Sequence, residues 1–177
     1  MSIFYSYIRL FVFLGCTLVG IQVPVFVDEY GKSLESHLAE SRMALNEFQG
    51  DADKYFDGRL EKLIAHYLNN GDQVFNEGGR SIESIYNRNL TLKTNFAQFQ
   101  SSAWAAYTQA LFTPVPDVGS KAWKNHSYAI QLKPSAIAFG LIVGLIFSLG
   151  VELLLRLACQ FPKLFNSKAK APSSPAR

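Results

Sequence analysis

Two apolar segments, residues 10–27 and 134–155, bracket about a hundred polar residues, and no other feature of this chain limits its fold so tightly. Each bracket is close to the roughly 20 residues an α-helix needs to cross a ~30 Å hydrocarbon layer. Hydrophobic residues make up 49% of the 177, and because so many fall in the brackets, the soluble part has little left for a core. A large enzyme fold is thereby excluded. The alternative for the first bracket is a cleaved signal peptide, which needs small residues at a cleavage site; residues 22–27 (Gln-Val-Pro-Val-Phe-Val) offer none.

Charge supplies the orientation. Residues 28–133 hold 11 basic and 13 acidic side chains, whereas the flanks hold six basic residues against Glu152 alone. Short Lys- and Arg-rich flanks stay on the cytoplasmic side, so both termini are expected inside and the middle outside. Cys16 and Cys159 lie within or beside the apolar segments and the middle has no cysteine, which excludes a disulfide framework.

Within the middle, Leu34, Leu38, Ser41, Leu45, Phe48, Ala52 and Tyr55 recur with the 4-3 spacing of a heptad seam. A second series, Ile82, Ile85, Asn89, Leu92, Phe96, Phe99, Ala103, Ala106 and Ala110, repeats it. Two arms of similar length predict an antiparallel helical hairpin, in a register that aligns Leu45 with Leu92 and Leu38 with Phe99. Asp57-Gly58 and Asn69-Asn70-Gly71-Asp72 are stop and restart signals that frame a short tip helix from about Arg59 to Leu68. Gly78-Gly79 is expected to weaken the second arm. Beyond Leu111, the closely spaced Pro114 and Pro116 predict an irregular connector, with Trp123, His126 and Tyr128 at the membrane surface. A basic tail, disordered from about Phe161, follows.

The expected fold is therefore an all-α membrane protein, two transmembrane helices flanking an extracytoplasmic coiled-coil-like hairpin with a tip helix. Its divisions are a cytoplasmic segment 1–9, a span 10–27, the hairpin 28–112, a connector 113–133, a span 134–155 and a cytoplasmic tail 156–177.

The order Pro24-x-Phe26, Tyr30, Leu34 and Phe48 after an N-terminal span, then Trp123, Pro134 and a terminal span, resembles the DUF2937 family of short proteobacterial membrane proteins of unknown function. The resemblance implies a bacterial inner-membrane location and lends no catalytic residues.

Chemistry-bearing motifs are sparse. The chain has no Glu-x-x-His metal pair, Gly-rich phosphate loop, nucleophile motif or Cys-x-x-Cys. His37 and Glu40, three apart, are expected to form a solvated hydrogen bond, and His66 a partly buried structural residue. Mixed charges on the helical faces argue against nucleic acid, which needs a single-sign stripe. No catalytic residue, cofactor or metal is assigned.

The second apolar segment is more specific: Ala136, Gly140, Gly144 and Ser148 are four apart, a spacing of small residues that lets helix backbones approach in lipid. Gly15 and Gly20 of the first segment are the candidate receivers, and a contact between two copies is the alternative. Glu152 and Arg156, one turn apart, are a candidate ion pair at the headgroups. The expected role is non-enzymatic: a membrane-anchored scaffold or interaction module, in contact with lipid and with a protein partner or a second copy. The alternatives are an accessory subunit of a larger respiratory, transport or envelope complex and, less favoured, a small enzyme or transporter.

Overall fold

A computed structural model describes the backbone of residues 2–126 and 133–166 and the side chains of residues 6–126 and 133–154. Tyr128, the side chains of Arg156 and Cys159, and the tail from 167 fall outside the described residues. Among those described, six α-helices and no strand occur: α1 (Ser2–Tyr55), α2 (Leu60–Leu68), α3 (Gln73–Ser101), α4 (Ala103–Phe112), α5 (Pro116–Asn125) and α6 (Pro134–Asn166). The chain divides into two compact units, Met1–Val25 with Tyr128–Arg177, and Phe26–Ser127. Among the described residues, two helices are long and apolar enough to cross a membrane, one in Ser6–Tyr55 and one at Pro134–Leu154.

α1 runs unbroken through Pro24. Proline has no N–H to offer the carbonyl four residues back, and its ring crowds that carbonyl. α6 continues to Asn166, so the expected disorder from Phe161 is replaced by helix as far as the description reaches.

The unit from Phe26 has two cores. Phe26, Val27, Tyr30, Leu34 and Leu38 of α1 join Leu92, Ala110, Val118 and Ala122 in the larger one. The smaller gathers Ala52, Leu60 and Leu63, with Phe48, Phe56, Tyr67 and Tyr86 against it. α1 thus buries its heptad positions apart from half-buried Phe48 and exposed Tyr55, and α3 buries Ile82 and Leu92 with its other seam positions half-buried.

The register differs from the expected one. Phe99, aligned by sequence with Leu38, instead lies beside Gly31, where a Cβ would come within 2.6 Å of its ring, and 5.8 Å between centroids from Tyr30. Gly31 precedes Leu38 by one heptad. Registers one heptad apart bury the same seam and are nearly degenerate in pattern, so shape decides. A phenyl ring fills the space that a glycine leaves.

Two further expectations are corrected. The second series does not form one helix: Ser102 breaks it, and its hydroxyl accepts from the Ala105 N–H to cap α4. The proline segment does not stay irregular, because Pro116 occupies the first turn of α5, where no intrahelical donor is needed. α3 continues through Gly78-Gly79, where buried Gly79 lets Tyr67 and Leu68 of α2 approach.

At the tip, Asp57 and Gly58 both take positive φ, 52° and 75°, the left-handed turn that ends α1. Asp72 caps α3 through the Val74 N–H, and the Asn76 amide donates to the Leu68 carbonyl.

Candidate functional site

Two places combine polar groups with close packing. The first is the small-residue face of α6. Gly20 meets Gly140 so closely that a Cβ on Gly20 would lie 3.0 Å from the Gly140 Cα. A Cβ on Gly140 would lie 2.5 Å from Ile21 Cγ1 and 2.7 Å from the Thr17 carbonyl oxygen, and one on Gly144 would lie 2.9 Å from the Phe13 carbonyl oxygen. Ile21, Val25 and Ala136 form a small apolar cluster beside this contact, and Ser148 is buried one turn beyond Gly144. Gly15 stands apart, with nothing within 4 Å of where its Cβ would be.

Glu152 pairs with Arg9 across the two helices, 3.3 Å apart. Charges near the same end of two antiparallel apolar segments could have suggested this pair from the sequence. The expected Glu152–Arg156 pairing involves a side chain outside the described residues.

The second place lies where α1 and α5 meet within the Phe26–Ser127 unit. The His126 ring pairs with the Glu29 carboxylate, and both are largely buried. Phe26 packs edge-on against Trp123 at 5.5 Å and against His126 at 5.7 Å. Tyr30 is fully buried, and its hydroxyl accepts from the Val115 N–H at 3.1 Å, holding the turn into α5. Buried Gln109 donates to Asn95 at 3.1 Å and ties α4 to α3. These links join residues far apart in the chain, and no local motif marks them.

Further along α1, a groove of about 480 Å³ is lined by Glu29, Lys32, His37, Glu40 and Lys121, among others. A smaller hollow of about 240 Å³ shares His37, Glu40 and Lys121 and adds Ser41, Arg88 and Asp117. His37 is buried, contrary to the solvated pair expected, with Glu40 3.5 Å from it and largely exposed. The reason is that α5 covers that face of α1. His66, expected to be partly buried, is exposed, with its ring against Phe56. The groove is lined by side chains of both signs, an arrangement that complements a polar surface. Among the described residues no group of three His, Cys, Asp or Glu side chains could hold a metal ion.

Arg88 of α3 pairs with Asp117 of α5, and that hydrogen bond holds the Asp117 carboxyl below the usual carboxylate range. A depressed folded pKa contributes stability that is fully present above the unfolded value of about 4 and is lost as pH falls through the folded one. Both side chains are nearly half exposed, so water screens the pair to below about 1 kcal/mol. Arg88→Met is expected to flatten the acid limb of a pH–stability curve below about pH 4 and leave the neutral limb parallel to wild type. Urea unfolding in detergent, repeated across pH, measures this.

No curated protein and no solved structure matches the chain. The family model that does match covers residues 4–163 and is described as a protein of unknown function. That span includes both apolar helices and every helix between them, and the chain belongs to the DUF2937 family.

Proposed function

We propose that the protein is a non-enzymatic, membrane-anchored helical scaffold, in which two spans hold an α1–α3 hairpin outside a bacterial inner membrane with both termini in the cytoplasm. One observation carries this reading. Only 28% of the apolar window in α1 and 17% of that in Pro134–Leu154 is buried within the protein. Phe11, Leu18, Val19, Ile142, Ile146 and Leu154 all turn outward. The core helix of a soluble protein buries such residues against its own chain, whereas these need a cover from outside, and lipid supplies it over the length of a span. The mixed-charge groove beside α5 is the surface on which such a scaffold meets a polar protein partner.

Topology is tested with cysteines at Asn46 and Ser167 in a chain lacking the native thiols. A membrane-impermeant maleimide is expected to label Asn46 in intact cells and Ser167 only after permeabilisation; the opposite pattern reverses the orientation. Gentle detergent extraction separates scaffold from accessory subunit. A defined assembly of this chain alone supports the scaffold, and stoichiometric foreign subunits favour membership of a larger complex.

A further inference from the structure

α4 is built inside out for a helix in water. At 100° per residue, Trp104, Thr108, Leu111 and Phe112 fall within an arc of about 100°, and Ala106, Gln109 and Ala110 lie on the opposite side. The side that faces the protein is mostly small or polar: Gln109 and Ala110 are buried, and Ala106 packs against the larger core beside one large ring, that of Tyr107. The large apolar side faces outward, with Trp104 78% and Phe112 79% exposed and Leu111 exposed as well. A water-facing helix reverses this arrangement.

Charge and position point the same way. Between Lys93 and Asp117 the chain carries no charged residue at all, the longest such run between the two apolar segments. The α1 members of the core that α4 packs against, Phe26, Val27, Tyr30, Leu34 and Leu38, begin at the end of the first apolar segment in the chain. The chain enters this unit at Phe26 and is last described in it at His126, and these two rings touch. The place at which the chain enters this unit therefore also carries exposed Trp123, whose ring lies on Phe26.

We propose that α4 lies in the headgroup boundary of the bilayer, with Trp104, Leu111 and Phe112 inserted at the ends of the acyl chains and Trp123 beside them. From Trp104 to Phe112 the helix rises about 12 Å, a length that lies along the surface. Amphipathic helices sit there with their apolar face about 5–10 Å into the boundary, and tryptophan favours that depth. The contact would fix the unit against the membrane at a third place besides its two chain connections. This inference rests on the membrane-spanning reading.

Trp104 and Trp123 are the only tryptophans, so each can be isolated. Full-length Trp123→Phe, which keeps a ring against Phe26, is reconstituted into phosphatidylcholine–phosphatidylglycerol vesicles, and Trp104 is read as the sole fluorophore. Lipid brominated near the headgroup end of its chains is expected to remove the larger part of its emission, and lipid brominated near the chain ends to remove less. Aqueous iodide should have little effect. Quenching by iodide without quenching by lipid overturns the proposal and leaves α4 in water. Protection from both overturns it in favour of a second copy or another protein as the cover. A chain carrying Trp104→Phe, Trp123→Phe and Phe147→Trp is the control for the spans. If lipid bromines quench Trp at 147 but not Trp104, the α4 inference alone fails; if they quench neither, the membrane-spanning reading fails with it.

Discussion

Leucine in place of Gly140 is expected to drive α1 and α6 apart. The first new atom alone would stand 2.5 Å from Ile21 Cγ1, 2.7 Å from the Thr17 carbonyl oxygen and 3.0 Å from the Ile21 nitrogen. Ile21 can turn aside, but two of these neighbours are backbone, so relief requires moving a helix. Overpacking of this kind costs about 1–3 kcal/mol or more where backbones must shift. Separation also deprives Arg9 of its position beside Glu152. The matched control is Gly15→Leu, where nothing lies within 4 Å of the added Cβ. In detergent, Gly140→Leu should unfold at markedly lower SDS concentration than wild type, with Gly15→Leu close to wild type. Equal behaviour of the two variants would remove the packing explanation. Because this face is already filled within one chain, a copy-to-copy contact through it would have to displace the internal one.

Tyr30→Ala is expected to be the most damaging single truncation in the Phe26–Ser127 unit. Tyr30 is 0% exposed, its ring packs on Phe99 and its hydroxyl takes the Val115 N–H. Truncating a buried aromatic ring costs about 3–5 kcal/mol, and the orphaned N–H adds about 1–3 kcal/mol unless water reaches it. Tyr30→Phe separates the two contributions, since it keeps the ring and removes only the hydroxyl. Hydrogen exchange of the peptide spanning Val115 should quicken in both variants. Exchange around Phe99 should quicken in Tyr30→Ala and stay near wild type in Tyr30→Phe. If Tyr30→Phe leaves Val115 fully protected, the hydroxyl does not hold that turn.

Much of the architecture was legible because it rests on local signals. Apolar runs of span length, heptad spacing in α1 and α3, and the Asp57-Gly58 stop are properties of neighbouring residues. The break at Ser102 was hidden by the continuing alanine spacing, although a serine followed by a helical run is a legitimate cap. The start of α5 is not legible from the breaking tendency of proline, because at a first turn proline is a good beginning. At the candidate sites, the α6 stripe was visible as small residues four apart. Which glycine of α1 receives it was not, because Gly15 and Gly20 differ only in the direction each faces.

By itself, the sequence determined an all-helical chain with two apolar helices, the periodic faces that α1 and α3 bury, and a middle without cysteine or catalytic motif. Periodicity acts through nearest neighbours along one helix, so it survives without knowledge of what the helix meets. Tertiary structure alone decided the heptad register, the Glu29–His126 pair, the seat of Val115 on Tyr30, and the inside-out setting of α4. Each depends on shape or charge brought together from distant parts of the chain. A seam that repeats every seven residues fits its partner almost equally well one repeat away, until a ring such as Phe99 finds a gap, at Gly31, that admits it.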